Sequence, residues 1–113
     1  MNELNLKGKT AVITGGAGLI CSEMARSLAS QGVKTVIIDL NQEAAVKVAA
    51  EIQKEFGTQS IGLSASVLDR ESLLASKKII NETFGAIDIL VNGAGGNSPA
   101  ATTKVEKMDG TEE

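Results

Sequence analysis

TGGAGLIC, residues 14–21, is the stretch that determines the fold, because it places three glycines between an apolar run and a helical segment. Residues 11–13 before it are typical of a buried strand, and residues 22–26 after it have the composition of a helix. Where a helix follows a parallel strand, its first amides point outward without partners and its dipole adds positive charge. Glycines let the backbone approach an anion closely, so the stretch predicts a phosphate-binding turn.

The strand and helix pattern of this turn repeats along the chain. Strand-like runs at residues 10–14, 35–39, 60–65 and 87–92 alternate with three helical segments. The first, second and fourth runs are almost continuously apolar, as in parallel strands that are covered on both faces. The alternation predicts an α/β fold, a Rossmann-like parallel sheet with helices on both faces.

Single residues mark the expected helix boundaries. Asn41 and Asp69 are suitable N-caps for the second and third helices, because their side chains can accept from exposed amides. Each helix is expected to stop at a glycine, the residue that adopts a positive φ most easily: Gly32, Gly57 and Gly85.

The composition excludes several classes of protein. A net charge of −3 gives no attraction to nucleic acid or anionic membranes, and the single cysteine, Cys21, cannot form an internal disulfide. The chain has no histidine, tyrosine or tryptophan, so histidine bases, histidine metal ligands and tyrosine acids are absent. No carboxylate cluster has the spacing of a metal site. The N-terminus has no apolar stretch that resembles a signal peptide or a membrane span, which predicts a cytoplasmic protein.

The glycine turn partly matches a dinucleotide fingerprint. Gly16 and Gly18 occupy the first two positions of Gly-x-Gly-x-x-Gly, and Cys21 replaces the third. Asp39 ends the next strand, where a carboxylate accepts hydrogen bonds from an adenosine ribose. The Gly-Lys-Ser/Thr of a mononucleotide-binding loop is missing. A purely structural turn is the alternative for the glycines, and a solvated helix-cap carboxylate is the alternative for Asp39. Cys21 is interpreted as a small packing residue, with a redox thiol as the alternative.

Two motifs resemble the N-terminal half of the short-chain dehydrogenase/reductase family. Residues 14–18, Thr-Gly-Gly-Ala-Gly, correspond to the family's Thr-Gly-x-x-x-Gly-x-Gly turn, although Leu19 and Cys21 stand at the later glycine positions. Residues 92–95, Asn-Gly-Ala-Gly, correspond to its Asn-Asn-Ala-Gly segment. The turn and residues 93–103 are also similar to a bacterial branch labelled D-mannonate (fructuronate) oxidoreductase. The turn is therefore expected to differ locally from the usual family turn.

The resemblance implies an NAD-dependent oxidoreductase that transfers hydride between NAD and a secondary alcohol or carbonyl, and the similarity to the D-mannonate branch implies a sugar acid as its substrate. Asp39 lies where an acid favours NAD over NADP, because it would repel a 2′-phosphate. Ser66 stands where family members commonly place an aspartate against the adenine. The expected cofactor-binding residues are Gly15, Gly16, Gly18, Ile20, Asp39, Ser66, Val67, Asn92 and Ala94.

The family's catalytic Tyr-x-x-x-Lys cannot occur in a chain without tyrosine, so no catalytic residue is assigned and we expect this cofactor-binding half to be inactive alone. The alternative is a noncatalytic nucleotide-binding or assembly module.

The expected strand order is 3-2-1-4, truncated after the fourth strand, with residues 1–97 as a partial Rossmann NAD-binding domain and residues 98–113 as a flexible tail. The fourth strand would then expose an apolar edge, and we expect a homo-oligomer through it.

Overall fold

Strands and helices alternate through most of the structure, a computed structural model that describes residues 6–66 and 68–93 and the backbone of residues 104–107. Within this part of the chain the elements are β1 (Thr10–Thr14), α1 (Leu19–Ser30), β2 (Lys34–Asp39), α2 (Gln42–Phe56), β3 (Ser60–Ser64), α3 (Arg70–Thr83), β4 (Ile89–Asn92) and β5 (Lys104–Lys107).

The sheet confirms the predicted order of the first four strands. The full order is β3-β2-β1-β4-β5, and β1 pairs in parallel with both β2 and β4 while β2 pairs in parallel with β3. The carboxyl ends of β1, β2 and β4 therefore lie at one edge of the sheet, with Thr14 opposite both Ile38 and Asn92.

The expectation that β4 is an open edge is wrong, because β5 pairs with it in antiparallel orientation. The register joins Ile89 to Lys107 and Asn92 to Lys104, so the pairing covers the whole of β4. Residues 104–107 fall within the predicted tail, whose other residues lie outside the described part of the chain, and the division at residue 97 stays a prediction. The interface assumed for a homo-oligomer is thus occupied within the chain.

Helices cover both faces of the sheet, as predicted. On one face, α1 and α2 pack over residues such as Ile13 and Ile37, and on the other face α3 packs over residues such as Val12 and Ile38. Neighbouring residues of β1 and β2 thus point into different core clusters, which explains why these strands read as continuous apolar runs. Cys21 is buried in the α1 and α2 cluster, in agreement with the packing interpretation.

The predicted helix ends are also confirmed. Asn41 accepts from the amide of Ala44 at the start of α2, and Asp69 accepts from the amides of Glu71 and Ser72 at the start of α3. The three glycines that follow the helices all have positive φ angles: Gly32 (86°), Gly57 (72°) and Gly85 (91°).

Candidate functional site

The candidate site lies where the carboxyl ends of the central strands meet. The glycine turn follows β1, Asp39 is the last residue of β2, and Asn92 is the last residue of β4. Open parallel sheets bind ligands at this edge, because the helix N-termini there direct free amides away from the sheet. The structure therefore places five predicted residues, Gly15, Gly16, Gly18, Ile20 and Asp39, in or beside one turn, with Asn92 on the adjoining strand.

The glycines of the turn have separate structural roles. Gly15 has a φ of 67°, a conformation that a residue with a side chain adopts only at a cost. Gly16 is buried, and a Cβ built on it would lie 2.7 Å from Cγ2 of Ile37 and 2.9 Å from the carbonyl oxygen of Ile13. Gly18 is exposed, and a Cβ there would meet only the carbonyl oxygen of Gly15, at 3.3 Å. Gly16 therefore faces the sheet, whereas Gly18 leaves open space on the outer side of the turn.

The start of α1 differs from the starts of α2 and α3. Its N-cap is Gly18, which has no side chain to accept from the first amides, and its first turn contains no acidic residue. By contrast, Asn41 and Asp69 cap the other two helices, with Glu43 and Glu71 in their first turns. The partial positive charge at the start of α1 is therefore not neutralised by its own sequence, as an anion site requires.

The carboxylate of Asp39 contacts the glycine turn directly. Its Oδ2 accepts a hydrogen bond from the amide of Ala17 at 3.1 Å, and its Oδ1 accepts from the amide of Asn41 at 3.2 Å. Asp39 is not the N-cap of α2, because Asn41 has that role. The contact with Ala17 was not predicted, since the two residues are 22 positions apart and neither motif links them.

A hydrogen bond also joins the ends of β1 and β4. The hydroxyl of Thr14 donates to Oδ1 of Asn92 at 2.9 Å, and the amide of Gly93 donates to the carbonyl oxygen of Thr14 at 3.1 Å. Asn92 is therefore held by β1 at the same edge as the glycine turn. Ala94 lies outside the described residues.

Ser66 follows β3, at the outer side of the candidate site. Its Oγ accepts from the amide of Leu68 and its amide donates to Oγ of Ser72, each at 3.2 Å, so it shapes the start of α3. Its neighbour Ala65 donates an amide hydrogen bond to the carbonyl oxygen of Asp39. This bond ties the segment to β2, but no described contact joins the Ser66 side chain to the glycine turn. Val67 lies outside the described residues.

Large apolar side chains at this edge are exposed to solvent, a feature that the sequence analysis did not single out apart from Ile20. They follow the carboxyl ends of three strands and are Leu19 (80% exposed), Ile20 (69%), Leu40 (74%) and Leu68 (93%). Exposed apolar residues grouped at one edge are typical of a ligand or partner surface.

The described residues contain no group of three or more His, Cys, Asp or Glu side chains that could hold a metal ion. Nor does this part of the chain contain a helix with the length and apolar character needed to cross a membrane.

Known sequences identify the family. The sequence model described as short chain dehydrogenase matches residues 9–113, nearly the whole chain. The chain belongs to this family. It is 50% identical over 105 residues to the uncharacterized oxidoreductase UxuB of Bacillus subtilis, an alignment that covers 93% of this chain and 37% of UxuB.

Solved structures show the same architecture. A protein from Haemophilus influenzae, described as a candidate D-mannonate oxidoreductase and solved with bound NAD, has a TM-score of 0.78 and 42% identity over 84% of this chain. L-sorbose reductase from Gluconobacter frateurii, solved with NADPH and L-sorbose, has a TM-score of 0.79 and 30% identity over 83% of this chain. The chain spans only 34% and 36% of these two proteins. Structures of similar shape thus hold either cofactor, so the architecture alone does not select NAD over NADP.

Proposed function

We propose that this chain is the NAD-binding part of a short-chain oxidoreductase that transfers hydride between NAD and a secondary alcohol or carbonyl. The observation that carries the proposal is the uncapped start of α1 beside the carboxylate of Asp39. The free amides suit a diphosphate, and the carboxylate suits the hydroxyls of the adenosine ribose. When bound, NAD supplies the hydride-accepting ring.

The residues of the turn fit such a ligand. Gly16 has no side chain, which allows the backbone of the turn to pack directly against Ile13 and Ile37 of the sheet. Gly18 leaves the outer side of the turn open at the start of the helix. Asn92 lies on the adjoining strand and would border the cofactor further along the same edge. We retain Gly15, Gly16, Gly18, Ile20, Asp39, Ser66, Val67, Asn92 and Ala94 as the proposed cofactor-binding residues.

We propose NAD rather than NADP because of the charge of Asp39. A 2′-phosphate at the ribose would meet this carboxylate, and the repulsion disfavours NADP. NAD in the Haemophilus influenzae structure supports the same preference. Calorimetric titration of the chain with each cofactor tests it: we expect NAD to bind and NADP to bind at least about tenfold more weakly, a difference of about 1.4 kcal/mol. Failure of both to bind would refute the proposed function.

The proposed substrate class is a sugar acid. It is supported by the name of the Haemophilus influenzae structure, a candidate D-mannonate oxidoreductase that is 42% identical to this chain. Because the chain has no tyrosine, the Tyr-Lys pair of the family resemblance is not in these 113 residues, and we propose that they do not turn over a substrate alone. A steady-state assay with NAD and D-mannonate, read by NADH absorbance, tests this: turnover by the chain alone would contradict it.

The missing tyrosine also supports a second candidate, a noncatalytic nucleotide-binding or assembly module. Both candidates predict NAD binding. They differ when the remaining part of a relative such as UxuB is added in trans, because only a cofactor-binding half is expected to gain NADH production with a sugar acid. A cytoplasmic location stays a prediction under either candidate. A homo-oligomer also stays a prediction, but it would need a surface other than the edge of β4 that β5 covers.

A further inference from the structure

Three consecutive amides of the glycine turn each have an acceptor. The amide of Gly16 donates to the carbonyl oxygen of Ile38 at 3.0 Å, and that of Gly18 donates to the carbonyl oxygen of Gly15 at 3.0 Å. Between them, the amide of Ala17 donates to Oδ2 of Asp39 at 3.1 Å. The middle bond thus depends on a side chain, whereas the bonds on both sides are made by the backbone.

The middle bond fixes the part of the turn that leads into the start of α1. Ala17 is followed by Gly18, the N-cap whose outer side is open. Because the two residues are consecutive, we expect a shift of the backbone at Ala17 to shift the first amides of the helix as well. An anion site on a helix start is effective only when its amides are already directed at one point, because reordering them on binding weakens the affinity.

We propose that Asp39 is a positioning residue for the diphosphate, acting through the amide of Ala17, in addition to any contact with the ribose. This inference rests on the proposed function. In it, one oxygen of the carboxylate holds the turn in the conformation that receives the diphosphate. Because each carboxylate oxygen has two acceptor sites, Oδ2 can hold Ala17 while the group also accepts from a ribose hydroxyl.

The experiment separates the two roles of Asp39 with a ligand that lacks the ribose hydroxyls. The 113-residue chain is titrated calorimetrically with ADP and with 2′,3′-dideoxyadenosine 5′-diphosphate, which keeps the diphosphate. The matched variants are Asp39→Ala and Asp39→Asn. Both remove the negative charge, so the electrostatic effect on the diphosphate is the same in each, but only the asparagine keeps an oxygen that can accept from Ala17.

We expect Asp39→Asn to bind the dideoxy ligand about fivefold more tightly than Asp39→Ala, the effect of one net hydrogen bond. Equal affinities of the two variants for this ligand, with binding intact, would overturn the inference and leave the proposed function standing. If the unaltered chain binds neither ADP nor NAD, the proposed function fails, and the inference fails with it.

A second measurement does not depend on ligand or on the stability of a variant. Hydrogen exchange of the Ala17 amide is followed by NMR in the ligand-free, unaltered chain, with the amide of Leu19 at the uncapped start of α1 as the internal reference. We expect the Ala17 amide to exchange at least about tenfold more slowly than that of Leu19, after correction for sequence, because it is held by Asp39. Exchange of both amides at the same rate would overturn the inference.

Discussion

The hydroxyl of Thr14 donates to the side-chain oxygen of Asn92 at 2.9 Å, which joins the last residues of two parallel strands at the candidate site. Thr14 is buried and Asn92 is exposed, so the bond connects the core to the solvent-facing edge. The hydroxyl also lies 3.5 Å from the carbonyl oxygen of Val91, a much longer contact. The side chain of Asn92 therefore contributes to the fold as well as to the proposed site.

We expect Asn92→Ala to lower the free energy of unfolding by about 1 kcal/mol, because the buried hydroxyl of Thr14 loses its short acceptor. Asn92→Asp is the matched control, since it keeps an oxygen at the same position, and it should lose less than half as much. Urea unfolding followed by circular dichroism measures both. Equal losses would show that the hydrogen bond is not the source of the effect.

Alanine is expected to destabilise the fold more at Gly16 than at Gly18. Gly16→Ala should lower the free energy of unfolding by about 1–3 kcal/mol, because its methyl group would overlap Ile37 and Ile13. Gly18→Ala should cost only about 1 kcal/mol in stability, because alanine is a poorer N-cap than glycine but its methyl group would meet only the carbonyl oxygen of Gly15.

The Gly16→Ala and Gly18→Ala variants also distinguish an effect on NAD binding from an effect on stability. Gly18→Ala should weaken NAD binding about tenfold, because its methyl group occupies the open side of the helix start, and the loss of one charge-assisted hydrogen bond has about this effect. Thermal unfolding and calorimetric titration of both variants give the comparison. A Gly18→Ala variant with unchanged NAD affinity would contradict the proposed position of the diphosphate.

Gly62, in the middle of β3, is expected to be required for the packing of α2. A Cβ on it would lie 2.5 Å from the carbonyl carbon and oxygen of Ala45 and 2.6 Å from the backbone nitrogen of Val46. Because these are backbone atoms, the helix itself must move, and we expect Gly62→Ala to cost about 1–3 kcal/mol. Gly57→Asn is the control: it has open space and a positive φ that asparagine tolerates, so it should cost less than about 1 kcal/mol.

Arg26 joins α1 to α2 through two ion pairs, with Glu51 at 3.0 Å and Glu55 at 2.9 Å. All three side chains are partly exposed, so we expect Arg26→Leu to cost only about 0.5–1 kcal/mol at low salt. The difference from the unaltered chain should shrink at about 0.5 M NaCl, because exposed ion pairs are screened. Urea unfolding at both salt concentrations checks this, and a cost that does not change with salt would indicate lost packing of the arginine stem instead.

Much of the fold could be predicted from local features of the sequence. The apolar runs determine which segments become central strands, and Asn41, Asp69 and the three terminal glycines mark helix boundaries through local backbone chemistry. β5 could not be predicted in this way, because three of the four residues of Lys-Val-Glu-Lys are charged and show no strand pattern. Its pairing depends on the edge that β4 presents, which is a tertiary property.

The candidate site could be predicted in position but not in detail. Sequence alone placed the glycine turn and Asp39 at one edge of a sheet. It could not distinguish the buried Gly16 from the open Gly18, because that difference depends on Ile37 of the neighbouring strand. The contact between Asp39 and Ala17 depends likewise on the parallel pairing of β1 with β2.

The uncapped start of α1 links the thermal stability of this chain to its ligand. The diphosphate of a bound NAD would accept hydrogen bonds from the amides that no side chain caps. A ligand that binds only the native state raises the free energy of unfolding of the protein by about 2.7 kcal/mol when its concentration is about 100 times its dissociation constant. The melting temperature of the chain should then rise with cofactor concentration, so that its resistance to unfolding depends on the metabolic state of its surroundings.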